Sequence, residues 1–466
     1  MPNVVNGSGG NVIPTQTIVK EPLTPSQTQV IEDEETLKQM VVDDDLMQVN
    51  GAYVLRTEEG EFFKEKTKEE EGNAGEYLSA AHVTNGIMAR KNKNEQNKYP
   101  EGEKKHMIRI VVDAMGGDYA PHEPIVGAVD ALKKNKDLTV VLVGDEEQIK
   151  AELSAFEYDK DRIEIVHTTE VITMEEEDVA KAVKRKKDAS IVVSFRMLKE
   201  GKADALVSSG STGGVLSAGV LVLGRLKGVS RPALCPRIPN HRRTGTVVCD
   251  CGANLECKPI NLAHFAIMAS AYSEAAFGIK NPRVGLLNNG TEDHKGLLLQ
   301  RESHALLKTM DFLNYAGNIE GRDIMFSDVD VVVSDGFSGN IAVKSIEGCG
   351  KAIGSIMGQE FKRNWWCKLR AGGVVDIIKR IRGSVDYQKL GGAVFLGLTK
   401  PVVKGHGNSK AGSFTIYIGQ AIDMVKGNMV AKMKVMIDEA NEKFAALEAQ
   451  KAEAQAVASE QAPANE

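Results

Sequence analysis

Three aspartates share one position in this chain. Asp113, Asp250 and Asp335 each end an apolar run and precede a glycine within one to three residues. A carboxylate so placed caps a helix or closes a turn; otherwise it orients a base, holds a lysine or positions a thiol leaving group. It does not bind phosphate itself, because like charges repel. Ser208-Ser-Gly-Ser-Thr-Gly-Gly214 is the strongest anion loop. Hydroxyls at Ser209, Ser211 and Thr212 can donate, and the glycines let the backbone approach a ligand. The bland alternative is a structural turn with capping hydroxyls. The loop lacks the Gly-Lys-Ser/Thr of a Walker motif and is not Gly-x-Gly-x-x-Gly. Gly116, Gly117 and Asp118 form a second Gly-rich turn, and Asn254, Asn288 and Asn340 close three more.

The cationic candidates are Arg185, Lys186, Lys187, Lys258, Lys295, Lys344 and His406. Lys344 falls one helical turn after Asn340. A lysine early in a helix opposes the helix dipole, and a nearby anion would account for it. His406, in Lys404-Gly-His-Gly-Asn408, reads either as a general acid or as an ordinary loop histidine. Gly-x-Ser-x-Gly occurs only in broken form, and no cysteine sits between a strand and a helix with a matching histidine. Direct attack by a bound nucleophile therefore fits better than a covalent acyl-enzyme. Cys249-x-Cys251 with Cys257 matches no common zinc spacing, so neither metal nor cofactor is expected.

The elements that must hold these residues repeat one grammar. Five apolar runs end in small, Gly-rich turns and lead into helix-like segments. Strands are expected to begin near Ile108, Leu138, Ile163, Ala203, Val247, Val284 and Val329. Helices are expected over 123–134, 190–200, 213–223, 259–277 and 295–309. Apolar runs without strict alternation belong to strands covered on both faces. The fold class is α/β, a mainly parallel sheet with helices on both sides, whose ligands bind at the carboxyl ends of the strands. Residues 339–390 break the rhythm as a helical excursion before a strand at 392–398, and a long last helix runs from about Ser413 into the 440s.

The chain has 466 residues, 42% hydrophobic and 26% charged, with a formal charge of −6. That balance argues against a nucleic-acid binder, and there is neither a spanning apolar stretch nor a secretory signal. Residues 1–105 read as a polar, acidic extension, largely disordered; a helix over 37–49 and a hairpin over 52–63 are its candidate elements. Residues 106–445 form the catalytic domain, and 446–466 an Ala/Glu/Gln-rich tail that frays. The segment 361–382 mixes Trp365, Trp366 and Ile377 with Lys368, Arg370, Lys379 and Arg380. Such a basic amphipathic stretch lies on an anionic membrane, docks an acidic protein, or covers a dimer partner.

Taken in order, VDAMGGDYAPHEPIVGA, RKKDASIVV, SSGSTGG, RPAL, DCGAN, NPRVGLLNNGTEDHKG, DVVVSDGFSGNIAVKSIEG, GGAVFLGL and VVKGHG resemble the bacterial acyl-carrier-protein:phosphate acyltransferases of phospholipid synthesis. The resemblance covers residues from about Met107 to the 430s. It implies an α/β/α sandwich similar to phosphotransacetylase and isocitrate-dehydrogenase-like enzymes. It also implies a homodimer and a cytoplasmic protein held peripherally on the membrane by the region 350–387. The implied reaction is reversible transfer of a long fatty acyl group from acyl carrier protein to inorganic phosphate. The acyl phosphate then feeds a glycerol-3-phosphate acyltransferase. On this reading Asp113, Asp250, Asn254, Lys344 and His406 carry catalysis. Gly116, Gly117, Asp118, Lys187, Ser209, Ser211, Thr212, Asn288, Asp335 and Asn340 hold substrate. The alternatives are a short-chain acyl-CoA transacylase, a dehydrogenase of similar fold, and a membrane scaffold that recruits the carrier without turnover. Two residues depart from the family pattern: Ser211 replaces its usual asparagine, and Asn289 replaces an apolar residue.

Overall fold

The computed structural model describes residues 107–173, 175–367, 373–374, 377, 380 and 389–460, together with the backbone of 46–49, 52–56 and 62–64. The chain divides into two units, 1–105 and 106–466. In the first, β1 (Leu46–Val49), β2 (Ala52–Arg56) and β3 (Phe62–Lys64) pair as an antiparallel meander. The hairpin expected over 52–63 is β2–β3. The helix expected over 37–49 is instead extended at Leu46–Val49, where pairing with β2 overrides local propensity.

The second unit holds two sheets. One follows the order β6-β5-β4-β7-β15-β14-β8, built from β4 (Ile108–Asp113), β5 (Leu138–Gly144), β6 (Ile163–His167), β7 (Ala205–Ser208), β8 (Ala233–Cys235), β14 (Ala393–Leu396) and β15 (Val402–Lys404). Its pairs are parallel from β6 to β15 and antiparallel on either side of β14. Ile110, Val111 and Val112 are wholly buried, as a strand covered on both faces requires. The other sheet follows β12-β11-β13-β10-β9, from β9 (Arg237–Ile238), β10 (Thr246–Cys249), β11 (Val284–Asn288), β12 (Tyr315–Glu320) and β13 (Val331–Val333). The expected mainly parallel sheet is thus divided in two. The segment from Ala233 to Ile238 enters both sheets, with Pro236 at the crossing.

The helices are α1 (His122–Lys134), α2 (Glu146–Leu153), α3 (Val179–Arg185), α4 (Ser190–Lys199), α5 (Thr212–Ala218), α6 (Pro259–Phe277), α7 (Leu298–Leu307), α8 (Gly336–Lys362), α9 (Ala411–Lys426) and α10 (Met429–Glu460). A π turn, Gly219–Leu223, extends α5. Helix α6 is apolar nearly all round and buried from Asn261 to Ser273, as a central helix must be. Proline opens it and Gly278, in the left-handed region at φ 66°, closes it. Helices α1 and α9 lie so close that a methyl on Gly127 would stand 2.4 Å from Phe414 Cβ.

The long last helix expected from Ser413 is two helices, broken at Gly427 and at Asn428, whose φ is 51°. The second continues to Glu460, into the segment expected to fray.

Candidate active site

Strands β5, β4, β7 and β15 are adjacent and parallel, so their carboxyl ends open side by side. From β4 the chain passes to β5 and β6 on one flank, then crosses to β7 on the other. The gap between the ends of β4 and β7 is therefore a topological switch point, where open α/β sheets bind ligands. A pocket of about 170 Å³ lies there, lined among others by Asp113, Gly116, Gly117, Ser190, Gly210 and Ser211.

Asp113 ends β4 and is buried. Ser190 Oγ donates to one of its carboxylate oxygens and Ser208 Oγ to the other, each at 2.7 Å. Burial drives its pKa upward, against the downward pull of the two serine hydroxyls and the Met115 backbone. Gly116 has no room for a side chain, since a methyl there would stand 2.6 Å from the Asp113 carboxylate. Ser211 is the N-cap of α5, its Oγ accepting from Gly214 N at 3.0 Å, while Thr212 beside it is exposed. Ser209 is buried, and its Oγ has no hydrogen-bond partner among the described residues.

The run after β15 completes this group. Asp118 N donates to Gly407 O at 2.8 Å, and Gly405 N to Ser208 O at 2.9 Å. The loop is anchored beyond by Ala411 N and Lys410 Nζ, both on Glu123. Lys404, a residue the sequence reading passed over for its neighbour His406, is 8% exposed. Burial lowers its pKa to about 8, with Asp118 acting in the opposite sense and Lys344 in the same one. His406 is half-buried, and burial lowers its pKa too, while the charge of Glu347 raises it. Lys344 and Glu347 form an ion pair of 3.0 Å in the N-terminal half of α8. Lys344, Glu347, Lys404, His406 and Asp118 thus lie within electrostatic reach as one charged cluster.

A second group gathers at the junction of the sheets. Asp250, after β10, accepts from the backbone N–H of Leu234, Ala253 and Asn254 and from Asn254 Nδ2, at 2.7–3.2 Å. Burial raises its pKa. The other hydrogen of Asn254 Nδ2 goes to Pro232 O at 2.7 Å. Both residues assigned to catalysis here spend these groups on shaping the turn, which leaves the Asn254 amide no donor for phosphate. Asp335 is the N-cap of α8, accepting from Ser338 N at 2.8 Å. Asn340 lies over this turn, its Nδ2 3.5 Å from where a Gly252 Cβ would stand.

The remaining candidates are dispersed. Asn288 accepts from Asn289 N and donates to Lys295 O, which closes its own loop in the second sheet. Lys187 is exposed, three residues before Ser190, and its carbonyl accepts from Arg196. Trp365 and Trp366 stack at 3.7 Å between centroids and are 62% and 53% exposed; Ile377 and Arg380 are exposed as well. Lys368, Arg370 and Lys379 lie outside the described residues. Among the described residues no group of histidines, cysteines or acids could hold a metal ion.

The pocket at the switch point is lined by a buried carboxylate, hydroxyls and glycine backbone, with the buried Lys404 on the neighbouring strand. The family described as "Fatty acid synthesis protein" matches residues 108–432. A phosphate acyltransferase of Clostridioides difficile (strain 630) is 42% identical over 335 residues, covering 72% of this chain and 98% of the relative. One of Bacillus cereus (strain B4264) is 43% identical over 331 residues, covering 71% and 98%. A phosphotransacetylase structure from Streptococcus pyogenes aligns with TM-score 0.47 and 18% identity, over 75% of this chain and 99% of that one. The chain belongs to the phosphate acyltransferase family and is an acyltransferase.

Proposed function

We propose that the protein transfers a long-chain fatty acyl group from acyl carrier protein to inorganic phosphate, reversibly, supplying acyl phosphate for phosphatidic acid synthesis. One observation carries the site assignment: turns 116–118, 208–212 and 404–407 converge on adjacent strand ends around the Asp113 pocket. A phosphate oxygen attacks the thioester carbonyl, the carbon–sulfur bond of the tetrahedral intermediate breaks, and the thiolate leaves with a proton from His406 or a neighbouring lysine. Phosphate is itself the nucleophile, so the protein's work is to hold two anionic centres together and to stabilise the oxyanion. Asp113 acts through Ser190, which lines the pocket, and through Ser208, which holds the other carboxylate oxygen behind it. Lys344, paired with Glu347 and largely exposed, can exchange that carboxylate for a phosphate oxygen.

The acidic carrier docks on basic surface near the site, and the exposed pair Trp365 and Trp366 rests on an anionic membrane, where a downstream glycerol-3-phosphate acyltransferase takes the product. The active form is a homodimer. No helix among the described residues is long and apolar enough to cross a bilayer. Purified protein with palmitoyl-acyl carrier protein and phosphate tests the reading. Phosphate-dependent release of both carrier thiol and acyl phosphate is expected. Thiol without acyl phosphate, or equal turnover of acetyl-CoA, would overturn it.

A further inference from the structure

Helix α9 begins with a residue that cannot cap it. Its N-cap is Lys410, whose side chain makes no capping hydrogen bond. An ammonium has no acceptor to offer the first free N–H groups, and it opposes the positive end of the helix dipole. Glu123, in the first turn of α1, meets both needs. One carboxylate oxygen accepts from Ala411 N at 2.7 Å, and the other pairs with Lys410 Nζ at 3.1 Å. Lys410 Nζ also stands 3.1 Å from the centre of the Tyr119 ring. A cap ordinarily comes from the residue at the helix start; this one comes from 288 residues away.

Both ends of the borrowed cap lead to the pocket. Tyr119 and Glu123 follow Gly117 and Asp118, which line it. Lys410 follows His406 and Gly407, and Gly407 O accepts from Asp118 N at 2.8 Å. The approach is close, since a methyl on Gly117 would stand 3.0 Å from Gly407 O. In chain order, Asp118 meets Gly407, Tyr119 meets Lys410, and Glu123 meets Lys410 and Ala411, so the two stretches are clasped along their length. Behind the clasp Thr415 Oγ1 donates to Gly127 O at 3.1 Å and locks α9 to α1. Lys410 and Tyr119 are exposed, and an exposed ion pair adds little to stability. Its effect falls on the geometry of the loop instead.

We propose that Glu123, acting through Lys410 and Ala411, is a positioning residue for acyl transfer: it holds the 406–407 loop against the 116–118 turn and so sets the edge of the Asp113 pocket. Its effect on turnover rests on the acyl-phosphate reading. Glu123 itself touches no substrate. Burial pushes its pKa up, but the Ala411 N–H and the Lys410 ammonium bring it below the ordinary 4.5, so the clasp is ionised at neutral pH.

The test compares Glu123→Ala, which removes both bonds, with Glu123→Gln, which keeps an acceptor for Ala411 N. In the alanine variant kcat is expected to fall about tenfold or more, since small misplacements of a site cost that much. Its KM for palmitoyl-acyl carrier protein should stay within about twofold of wild type, and its Tm within about 5 °C. The glutamine variant is expected to recover kcat to within about threefold of wild type. Hydrogen exchange at the Asp118 amide, whose acceptor lies on the loop, should quicken at least about fivefold in Glu123→Ala while strand β4 keeps its protection. A Glu123 that merely stabilised the fold would loosen β4 as well and leave the kcat of folded enzyme alone. Unchanged kcat, unchanged Asp118 exchange, or a glutamine variant as slow as the alanine one overturns the proposal. Should Glu123→Ala fail to fold, Lys410→Met decides by the same exchange measurement, and an Asp118 amide as protected as in wild type overturns the assignment. Exchange needs no turnover, so a wild-type enzyme that makes no acyl phosphate would refute the reaction and leave the clasp to be judged on Asp118 alone.

Discussion

Asp113 and Lys404 end two strands that flank β7, and Ser208 at the end of β7 touches both positions: its Oγ donates to Asp113, and its backbone pairs in register with Lys404. A buried carboxylate and a buried ammonium are thereby held on opposite sides of one serine rather than against each other. Had they paired directly, they would have neutralised the site. Kept apart, the carboxylate organises hydroxyls and the ammonium stays available.

Removing the Asp113 carboxylate is expected to be costly. Asp113→Ala leaves Ser190 and Ser208 hydroxyls buried without an acceptor, at about 2 kcal/mol or more of stability. Asp113→Asn keeps one acceptor and loses less. The folded pKa of Asp113 lies above its unfolded value of 3.8 because of burial. The native state therefore binds the proton first as pH falls, and this group adds stability on the acid side of its folded pKa. Urea titrations across acid pH check this: Asp113→Asn should lack that gain. Equal pH profiles for the two proteins would contradict it.

Ser211 stands where the resemblance implies asparagine, and in the structure its hydroxyl caps α5. Serine and asparagine are near-equal N-caps, whereas alanine forfeits about 1 kcal/mol. Ser211→Asn should leave both Tm and phosphate KM near wild type, and Ser211→Ala should lower the urea midpoint. A phosphate KM that falls several-fold in Ser211→Asn would show that the amide does more than cap.

Much of this site was legible because it is local. A run of apolar residues ending in Asp113-Ala-Met-Gly116, or in Ser208-Ser-Gly-Ser211, announces a strand, a turn and an anion loop without any tertiary knowledge. The dispersed parts were not legible. Ser190 reaches Asp113 from a helix 77 residues away, and nothing in its own neighbourhood marks it. Asp250 and Asn254 share the local pattern of Asp113, yet their groups are spent on Leu234 and Pro232, partners that only the junction of the two sheets supplies. Lys404 lay in plain view beside His406, but a lysine declares itself only through burial. The missed strands β8, β9 and β15 span only two or three residues, too short for periodicity to speak; in β12, Gly317 and Asn318 interrupt the apolar run.

The two exposed tryptophans on the excursion beyond α8 should matter for surface binding and not for folding. Trp365→Ala with Trp366→Ala is expected to leave Tm unchanged and to weaken sedimentation with phosphatidylglycerol vesicles by about tenfold or more, given the area two indoles bury at an interface. Unchanged vesicle binding would detach these residues from the membrane.

Lys404 also makes a prediction about stability alone. Its folded pKa, about 8, lies below the unfolded 10.5 because burial disfavours the ammonium. Between those values the unfolded chain binds more protons than the native one, so this group makes the native state more stable as pH rises through that window. Below about 8 both states are protonated and the cost of the buried charge is fully present. Wild type should therefore show a rising contribution on the alkaline side that Lys404→Met lacks, measured as the difference between their urea unfolding free energies at successive pH values. A difference independent of pH would mean that Lys404 is solvated in the folded protein, its charge met by water rather than buried.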